Sequence, residues 1–282
     1  MMNAKNIISI ASRSDWENIF AFLDRQGLAE NAWLIGSVFA ALQRDEVWDT
    51  VLVCRRLHQL VSVAYMLDQT KVPVEARAPG YNPGHDYDVR MDAEDASAVE
   101  AMITAFPSNQ LGSFQLYNPL IQTYFEALPG LVRREEGDFY FTVSLERFCP
   151  VVSEEVVELT EADAGLFEGC ERQPNWEYMG ESRRFGIVRD GKAVTSLGST
   201  PLTPAAESKR RVRTIGALYT ETPYRRQGLA KRLVSHVTEF ILRDGDAPLY
   251  WTEPDNAASQ ALAQGLGYWQ IAQGMRYLWR KV

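Results

Sequence analysis

Arg225, Gly228 and Ala230 stand at the spacing R-x-x-G-x-A, within the run Thr220-Glu221-Thr222-Pro223-Tyr224-Arg225-Arg226-Gln227-Gly228-Leu229-Ala230. An apolar run, 215–219, precedes it and reads as a strand, and an amphipathic run follows it and reads as a helix. A short loop that opens a helix turns its backbone N–H groups outward, and the helix dipole adds its positive end. Small residues at Gly228 and Ala230 let a phosphate come close to the backbone. The chemistry expected here is the cradling of a diphosphate by the amides from Arg226 through Gln227, Gly228 and Leu229 to Ala230. Arg225, Arg226 and Lys231 are the charges beside it.

The rest of the chain narrows the partner. With 29 basic and 37 acidic residues the formal net charge is −8, a poor match for nucleic acid, which demands a basic face. The local basic set around the loop (Arg210, Arg211, Arg213 and Arg232 besides those named) suits a small polyanion. Apolar residues make up 46% and charged residues 23%, the balance of an ordinary soluble globular protein. A length of 282 residues accommodates one large domain or two of about 140 residues. Cys54, Cys149 and Cys170 are far apart and form no C-x-x-C pair, which argues against a disulfide framework or a zinc site. His58, His85 and His236 form no H-x-x-x-H or H-E-x-x-H pair, so no metal is expected. The apolar stretch 7–10 is too short for a signal peptide, and no run approaches the roughly 20 apolar residues of a membrane span. The expectation is a cytoplasmic monomer or homodimer with no membrane or nucleic-acid partner.

The positioning elements read as follows. Ser14 or Asp15 caps a helix carrying Trp16, Ile19, Phe20 and Leu23, which Gly27 ends. Residues 31–42 are ambiguous between strand and helix. Residues 47–54 and 60–66 read as strands, 71–88 as a long loop rich in Pro and Gly, and 92–106 and 119–128 as helices. Residues 131–134 and 138–145 read as two strands joined by a turn at Glu135-Glu136-Gly137. Phe148-Cys149-Pro150 marks the expected boundary between domains 1–149 and 150–282. Beyond it come a short strand at 156–159 and a helix from Thr160 to about Cys170. A hairpin across Asp190-Gly191 follows, then a loop at 200–211, and then the strand, loop and helix already described. On that helix Leu229, Leu233, Val234, Val237, Phe240 and Ile241 form one apolar face. A strand at 248–252, a helix capped by Asn256 and a closing strand or strand pair at 268–280 complete the chain. The halves share an outline, with Phe139-Tyr140-Phe141 answering Met275-Arg276-Tyr277-Leu278-Trp279, which reads as a weak internal duplication.

Taken together, the loop and a downstream segment resemble the GNAT superfamily, the GCN5-related N-acetyltransferases. The residues that carry the resemblance are Thr220, Pro223, Tyr224, Arg225, Gly228, Leu229 and Ala230. Pro248-Leu249-Tyr250-Trp251, Asn256-Ala257-Ala258-Ser259, Leu262 and Leu266-Gly267-Tyr268 follow downstream. The resemblance covers about 151–282, and the two-part layout is similar to glycine-N-acyltransferase-like members and to two-domain antibiotic-resistance acetyltransferases. It implies an α/β (α+β) GNAT fold, a mixed sheet flanked by helices, complete in the second domain and degenerate in the first. It implies acetyl-coenzyme A as co-substrate and no metal. The coenzyme arm would run along Leu218, Tyr219 and Thr220, reached by Asn256, with Ser259 nearby; Asn256 also reads as a plain helix cap.

The implied activity is transfer of an acyl group, most simply acetyl, to the amine of a small molecule or amino acid, with a backbone N–H near Tyr219 facing the developing oxyanion. The sequence departs from the family at two places: Ala263 stands where a tyrosine acid is frequent, and Thr214 where glycine acyltransferases place a glutamate base. Glu253, at the strand end where the family's cleft opens, is then the first choice of base and Glu221 the second, with Tyr219, Tyr250 and Tyr268 as candidate proton donors, of which Tyr268 reads rather as buried aromatic core. Trp176, Trp251 and Trp269 line a pocket or pack in the core, and 171–176 forms one wall of the acceptor cleft. The competing readings are an acyl-CoA-binding regulatory module without turnover, and transfer from an aminoacyl-tRNA, against which the net charge weighs.

Overall fold

The computed structural model describes residues 5–44, 46–76, 83–174, 181–203 and 211–282. In chain order the elements are β1 (Asn6–Ile10), α1 (Trp16–Gly27), α2 (Ala32–Gln43), β2 (Asp49–Arg56), β3 (Gln59–Asp68), β4 (Tyr87–Ala93), α3 (Ala96–Thr104), β5 (Leu111–Leu116), α4 (Pro119–Glu126) and β6 (Leu131–Thr142). There follow β7 (Val156–Leu159), β8 (Arg183–Arg189), β9 (Lys192–Ser199), β10 (Val212–Thr220), α5 (Leu229–Arg243), β11 (Ala247–Thr252), α6 (Ala257–Gln264) and β12 (Trp269–Arg280). Their contacts separate into two units, Met1–Asp138 with Ala272–Val282, and Phe139–Ile271.

Each unit is a mixed sheet with flanking helices, and the two follow one plan. In the first, β1, β2, β3 and β4 pair antiparallel in sequence, β4 and β5 pair parallel across α3, and β12 closes against β5 antiparallel. In the second, β7, β8, β9 and β10 pair antiparallel, β10 and β11 pair parallel across α5, and β6 closes against β11 antiparallel. The closing strands are exchanged along the chain. Met275 to Arg280 complete the first unit by pairing with Leu116 to Leu111, and Phe139 to Thr142 complete the second by pairing with Thr252 to Leu249.

Apolar periodicity accounts for the cores. On α1, Trp16, Ile19, Phe22 and Leu23 are buried, behind a reciprocal cap of Ser12 and Asp15. On α5, Leu229, Leu233, Val234, Val237 and Ile241 face Phe185, Ile187, Val194, Leu197, Ile215 and Tyr250. Each such aliphatic side chain contributes about 1.5–3 kcal/mol on burial. The first unit's core is largely aromatic, with Tyr87, Phe106, Phe114, Phe125, Tyr277 and Trp279 in one cluster.

The structure departs from the sequence reading at several elements. Residues 135–137 are not a turn, because β6 runs unbroken from Leu131 to Thr142. Gly137 is needed there for a close approach: a Cβ on it would stand 2.6 Å from the Gly274 carbonyl oxygen. The strand β4 begins inside the stretch read as a loop, since its alternating Asp88, Arg90 and Asp92 dilute the apolar signal, and β5 went unread. The segment 31–42 resolves to a helix, α2. Residues Glu161–Phe167 form a 3₁₀ helix rather than an α-helix running to Cys170. Among the described residues no helix is long and apolar enough to cross a membrane, and no cluster of His, Cys, Asp and Glu has a metal-holding arrangement.

Candidate coenzyme cleft and its surroundings

The site begins with a break in β10. Its pairing with β9 shifts register between Gly216 and Tyr219, and Ala217 takes φ +51°. Such a bulge frees backbone groups from the ladder and turns the strand. On the other side, the parallel ladder with β11 runs from Val212↔Ala247 to Ile215↔Tyr250, and no later pair follows among the described residues. The strands part there, leaving a cleft of about 380 Å³. Its lining includes Leu218, Tyr219, Thr220, Arg225, Ala230, Asn256 and Ser259, all nominated from sequence, together with Ala258 and Leu262.

The loop after β10 is a short 3₁₀ turn, Thr222–Tyr224, followed by two left-handed residues, Arg226 at φ +62° and Gly228 at φ +77°. Glycine bears that conformation at Gly228 without penalty. The first intrahelical bond of α5 runs from the Arg232 N–H to the Gly228 carbonyl at 3.1 Å, so the amides of Leu229, Ala230 and Lys231 point out of the helix end. A Cβ on Gly228 would meet only the tip of Arg232, at 4.0 Å. The cradle thus has open space, outward amides and a helix dipole, which fit a diphosphate.

The loop side chains divide into two groups. Arg226 is exposed beside the cradle, and Lys231 sits on the first turn of α5. Arg225 instead folds back: its Nε donates to the Thr220 carbonyl and its Nη2 to the Tyr219 hydroxyl, both at 2.9 Å. It braces the bulge. Gln227 donates to the Pro223 carbonyl at 3.3 Å, and its own carbonyl accepts from Arg232 at 3.0 Å.

Glu171 is the residue that sequence reading missed as a partner of this loop. Its carboxylate accepts from the Tyr219 hydroxyl, and from the Thr222 N–H and hydroxyl, each at 3.1 Å. In return the Glu171 N–H donates to the Glu221 carboxylate at 3.0 Å. The Tyr219 bond holds the Glu171 carboxyl below its ordinary value and pushes the Tyr219 hydroxyl up. No local pattern could reveal a clasp between residues 50 positions apart. It ties the segment at 171, expected to flank the acceptor, to the loop; Trp176 lies outside the described residues.

The other nominated groups are placed as follows. Asn256 caps α6, its Oδ1 accepting from the Ser259 N–H at 3.1 Å, and it also lines the cleft. Ser259 Oγ lies 2.5 Å from the hydroxyl of Tyr250, which burial pushes up in pKa. Tyr268 is buried and bonded to Thr238. Glu253 is exposed at the end of β11, and its carboxylate has no partner among the described residues. Glu221 is committed to the clasp. Ala263 is buried in the core beside Tyr250 and Tyr268.

At the matching place in the first unit, the chain's own carboxylates stand where a ligand would. Asp95 caps α3 by accepting from the Ala98 N–H at 2.9 Å and takes both Arg56 Nη atoms at 2.8 and 3.0 Å. Buried Asp92 accepts from Asn31 and Asn118 at 2.8 and 2.7 Å, beyond the parallel pairs of β4 and β5.

Comparison with known proteins agrees with this geometry. Residues 153–268 match the model of the acetyltransferase (GNAT) family. The whole chain is similar in fold to a Drosophila protein (TM-score 0.63, 14% identity, covering 98% of this chain and 99% of that one). It is similar to a GNAT-family acetyltransferase from Colwellia psychrerythraea (0.59, 10%, 97% and 100%). It is also similar to a tandem GNAT protein from the clavulanic acid biosynthesis pathway (0.57, 13%, 97% and 98%). No curated protein matches the sequence. The fold is that of the GNAT acetyltransferases, including tandem ones.

Proposed function

We propose that the chain is an N-acyltransferase that moves an acyl group, most simply acetyl, from coenzyme A to the amine of a small molecule or amino acid. The observation that carries the reading is the cleft at the parting of β10 and β11. It ends at the cradle of Arg226, Gly228 and the first turn of α5. In this reading the outward amides of Leu229, Ala230 and Lys231 bind the diphosphate, with Arg226 and Lys231 as counter-charges. The backbone freed at the bulge, with Asn256 and Ser259 across the cleft, holds the pantetheine arm. The N–H groups near Tyr219 face the thioester carbonyl, where negative charge develops as the amine attacks. The C–N bond forms as the C–S bond breaks. Glu253 takes the amine proton through water, and the leaving thiolate takes a proton from solvent or from the cleft hydroxyls. The first unit, its equivalent positions filled by Asp92 and Asp95, supports the fold and holds no coenzyme. The division into a degenerate first and an active second domain is part of this proposal, as is cytoplasmic work as a monomer or homodimer without nucleic acid or membrane.

The test has two arms. Gly228→Glu places a carboxylate against the diphosphate and is expected to abolish coenzyme A binding in calorimetry, with one site per wild-type chain. Unchanged affinity in the folded variant overturns the cradle. Release of free thiol from acetyl-CoA with a panel of amines is expected for the wild type. Binding without turnover on any amine favours a regulatory module instead, the reading that the buried Ala263 supports by offering no acid.

A further inference from the structure

The first unit holds a cavity of about 470 Å³ where the end of β1 and the start of β2 meet the C-terminus of α2. That volume lies within the range of small-molecule sites, about 300–1,000 Å³. The two strands are joined there by the pair Ile10↔Leu52 and by the Ala11 N–H, which donates to the Val51 carbonyl at 2.8 Å. Ile10, Ala11, Ala41, Leu42 and Val51 give the cavity an apolar wall. Arg13, Arg44, Glu46 and Asp49 give it two charges of each sign.

The charged groups differ in what they already hold. Arg13 is spent on the helix end: its Nε donates to the Leu42 carbonyl at 3.3 Å and its Nη2 to the Gln43 carbonyl at 3.1 Å. Those carbonyls have no partner within the helix. Asp49 opens β2, and its side chain is only 2% exposed. Its Oδ1 accepts from the Tyr65 hydroxyl at 2.8 Å, and burial pushes that hydroxyl up in pKa, so it stays a donor. Its Oδ2 has no hydrogen-bond partner among the described residues. The ion pair that Oδ2 makes, with Arg44 Nε at 3.9 Å, is too long for a hydrogen bond. An unmet carboxylate oxygen inside a protein is costly, and a donor supplied by a ligand removes that cost. Arg44 leaves α2 in an extended conformation, with its side chain more than half exposed. Its Nε donates to the Ala40 carbonyl at 3.3 Å, and its two Nη atoms have no partner among the described residues. Glu46 is exposed.

We propose that this cavity binds a free α-amino acid as its zwitterion. The ammonium sits on Asp49 Oδ2, the carboxylate on the Nη fork of Arg44, and an aliphatic side chain on the apolar wall. A bare metal ion asks for more oxygen ligands than one carboxylate offers. A simple ammonium would face two arginines, and a simple anion would face Asp49 and Glu46. A zwitterion answers both signs. In an α-amino acid the two charged groups stand on a single carbon, which suits a guanidinium and a carboxylate 3.9 Å apart. The exposed Arg44 side chain can change rotamer to admit the ammonium. An arginine fork then takes the carboxylate with two parallel bonds, which a lysine cannot do. Burial of a branched side chain against Ala41, Leu42 and Val51 adds the apolar gain. The inference does not rest on the acyltransferase reading, since every residue in it belongs to the unit without the coenzyme cradle.

The experiment is calorimetry on the full chain with L-leucine, glycine, isoamylamine and isocaproate. Against leucine, the last three lack the side chain, the carboxylate and the ammonium respectively. Leucine is expected to bind at one site per chain, and glycine more weakly. Isoamylamine and isocaproate are expected to bind about 10- to 100-fold more weakly, the loss typical of removing a charged hydrogen-bond partner. Asp49→Asn, which keeps an acceptor for Tyr65, and Arg44→Met, at an exposed position, are each expected to weaken leucine binding by the same factor. A cooperative thermal transition is the control for folding, and Arg44→Lys is expected to recover part of the affinity. Absence of leucine binding, or equal affinity for isoamylamine or isocaproate, overturns the proposal. So does unchanged leucine affinity in the folded variants, which places the amino acid elsewhere. If Asp49→Asn does not fold, Arg44→Met alone decides. The titrations contain no coenzyme, so failure of the coenzyme cradle leaves their outcome unaffected.

Discussion

At the scale of single residues, the candidate site separates groups that bind from groups that brace. Arg225 sits in the middle of the diphosphate motif, yet its guanidinium is spent on the Thr220 carbonyl and the Tyr219 hydroxyl. Glu221 is likewise held by the Glu171 amide. Both Glu221 carboxylate oxygens lie within reach of the Glu171 N–H, at 3.0 and 3.2 Å, which turns the group toward the clasp. Glu253 has no such tie among the described residues and keeps its carboxylate in solvent at the end of β11. Its position leaves it available for the proposed proton transfer. Glu253→Gln is expected to lower kcat at neutral pH by about 10²–10⁴-fold, the range for removing a general base, with little change in coenzyme A affinity. Wild-type turnover in this variant, followed by thiol release, removes Glu253 from the mechanism.

At the scale of elements, the decisive features are places where a strand is interrupted and one where it is not. The bulge at Ala217 and the end of the ladder after Ile215↔Tyr250 open the cleft. The Gly137 region shows the reverse, since Glu135-Glu136-Gly137 has turn composition yet lies inside a continuous strand. Glu135 pairs with Arg133 at 2.8 Å, and the missing side chain at Gly137 admits the Gly274 carbonyl. Gly137→Ala is therefore expected to cost about 1–3 kcal/mol, the range for forcing extra volume into a close contact. The effect is read as a lower urea midpoint with an unchanged slope. A solvent-exposed turn would tolerate the substitution, so an unaltered midpoint argues against the close approach. Gly137 has no positive φ to add a backbone penalty.

At the scale of the whole molecule, the last eleven residues belong to the unit that begins the chain. Met275, Tyr277 and Trp279 are buried in that unit's aromatic core, and the Trp279 N–H donates to the Pro129 carbonyl at 2.8 Å. Loss of large buried side chains costs about 2–5 kcal/mol each, against a typical total stability of about 5–15 kcal/mol. Deletion of 272–282 is expected to open the first unit, read as labelling of Cys54, which is fully buried in the intact chain. Continued protection of Cys54 would show that the unit stands without its closing strand. The sequence alone determined the loop, the helix after it, Asn256 as a cap and the GNAT resemblance, because these rest on local spacing, small residues and apolar periodicity within a few turns of chain. It also carried seven residues of the cleft lining. Only the tertiary structure decided the exchange of closing strands, the clasp between Glu171 and the loop, and the cavity between β1, α2 and β2. Each depends on strand register or on contacts between residues tens of positions apart, which composition and periodicity do not encode.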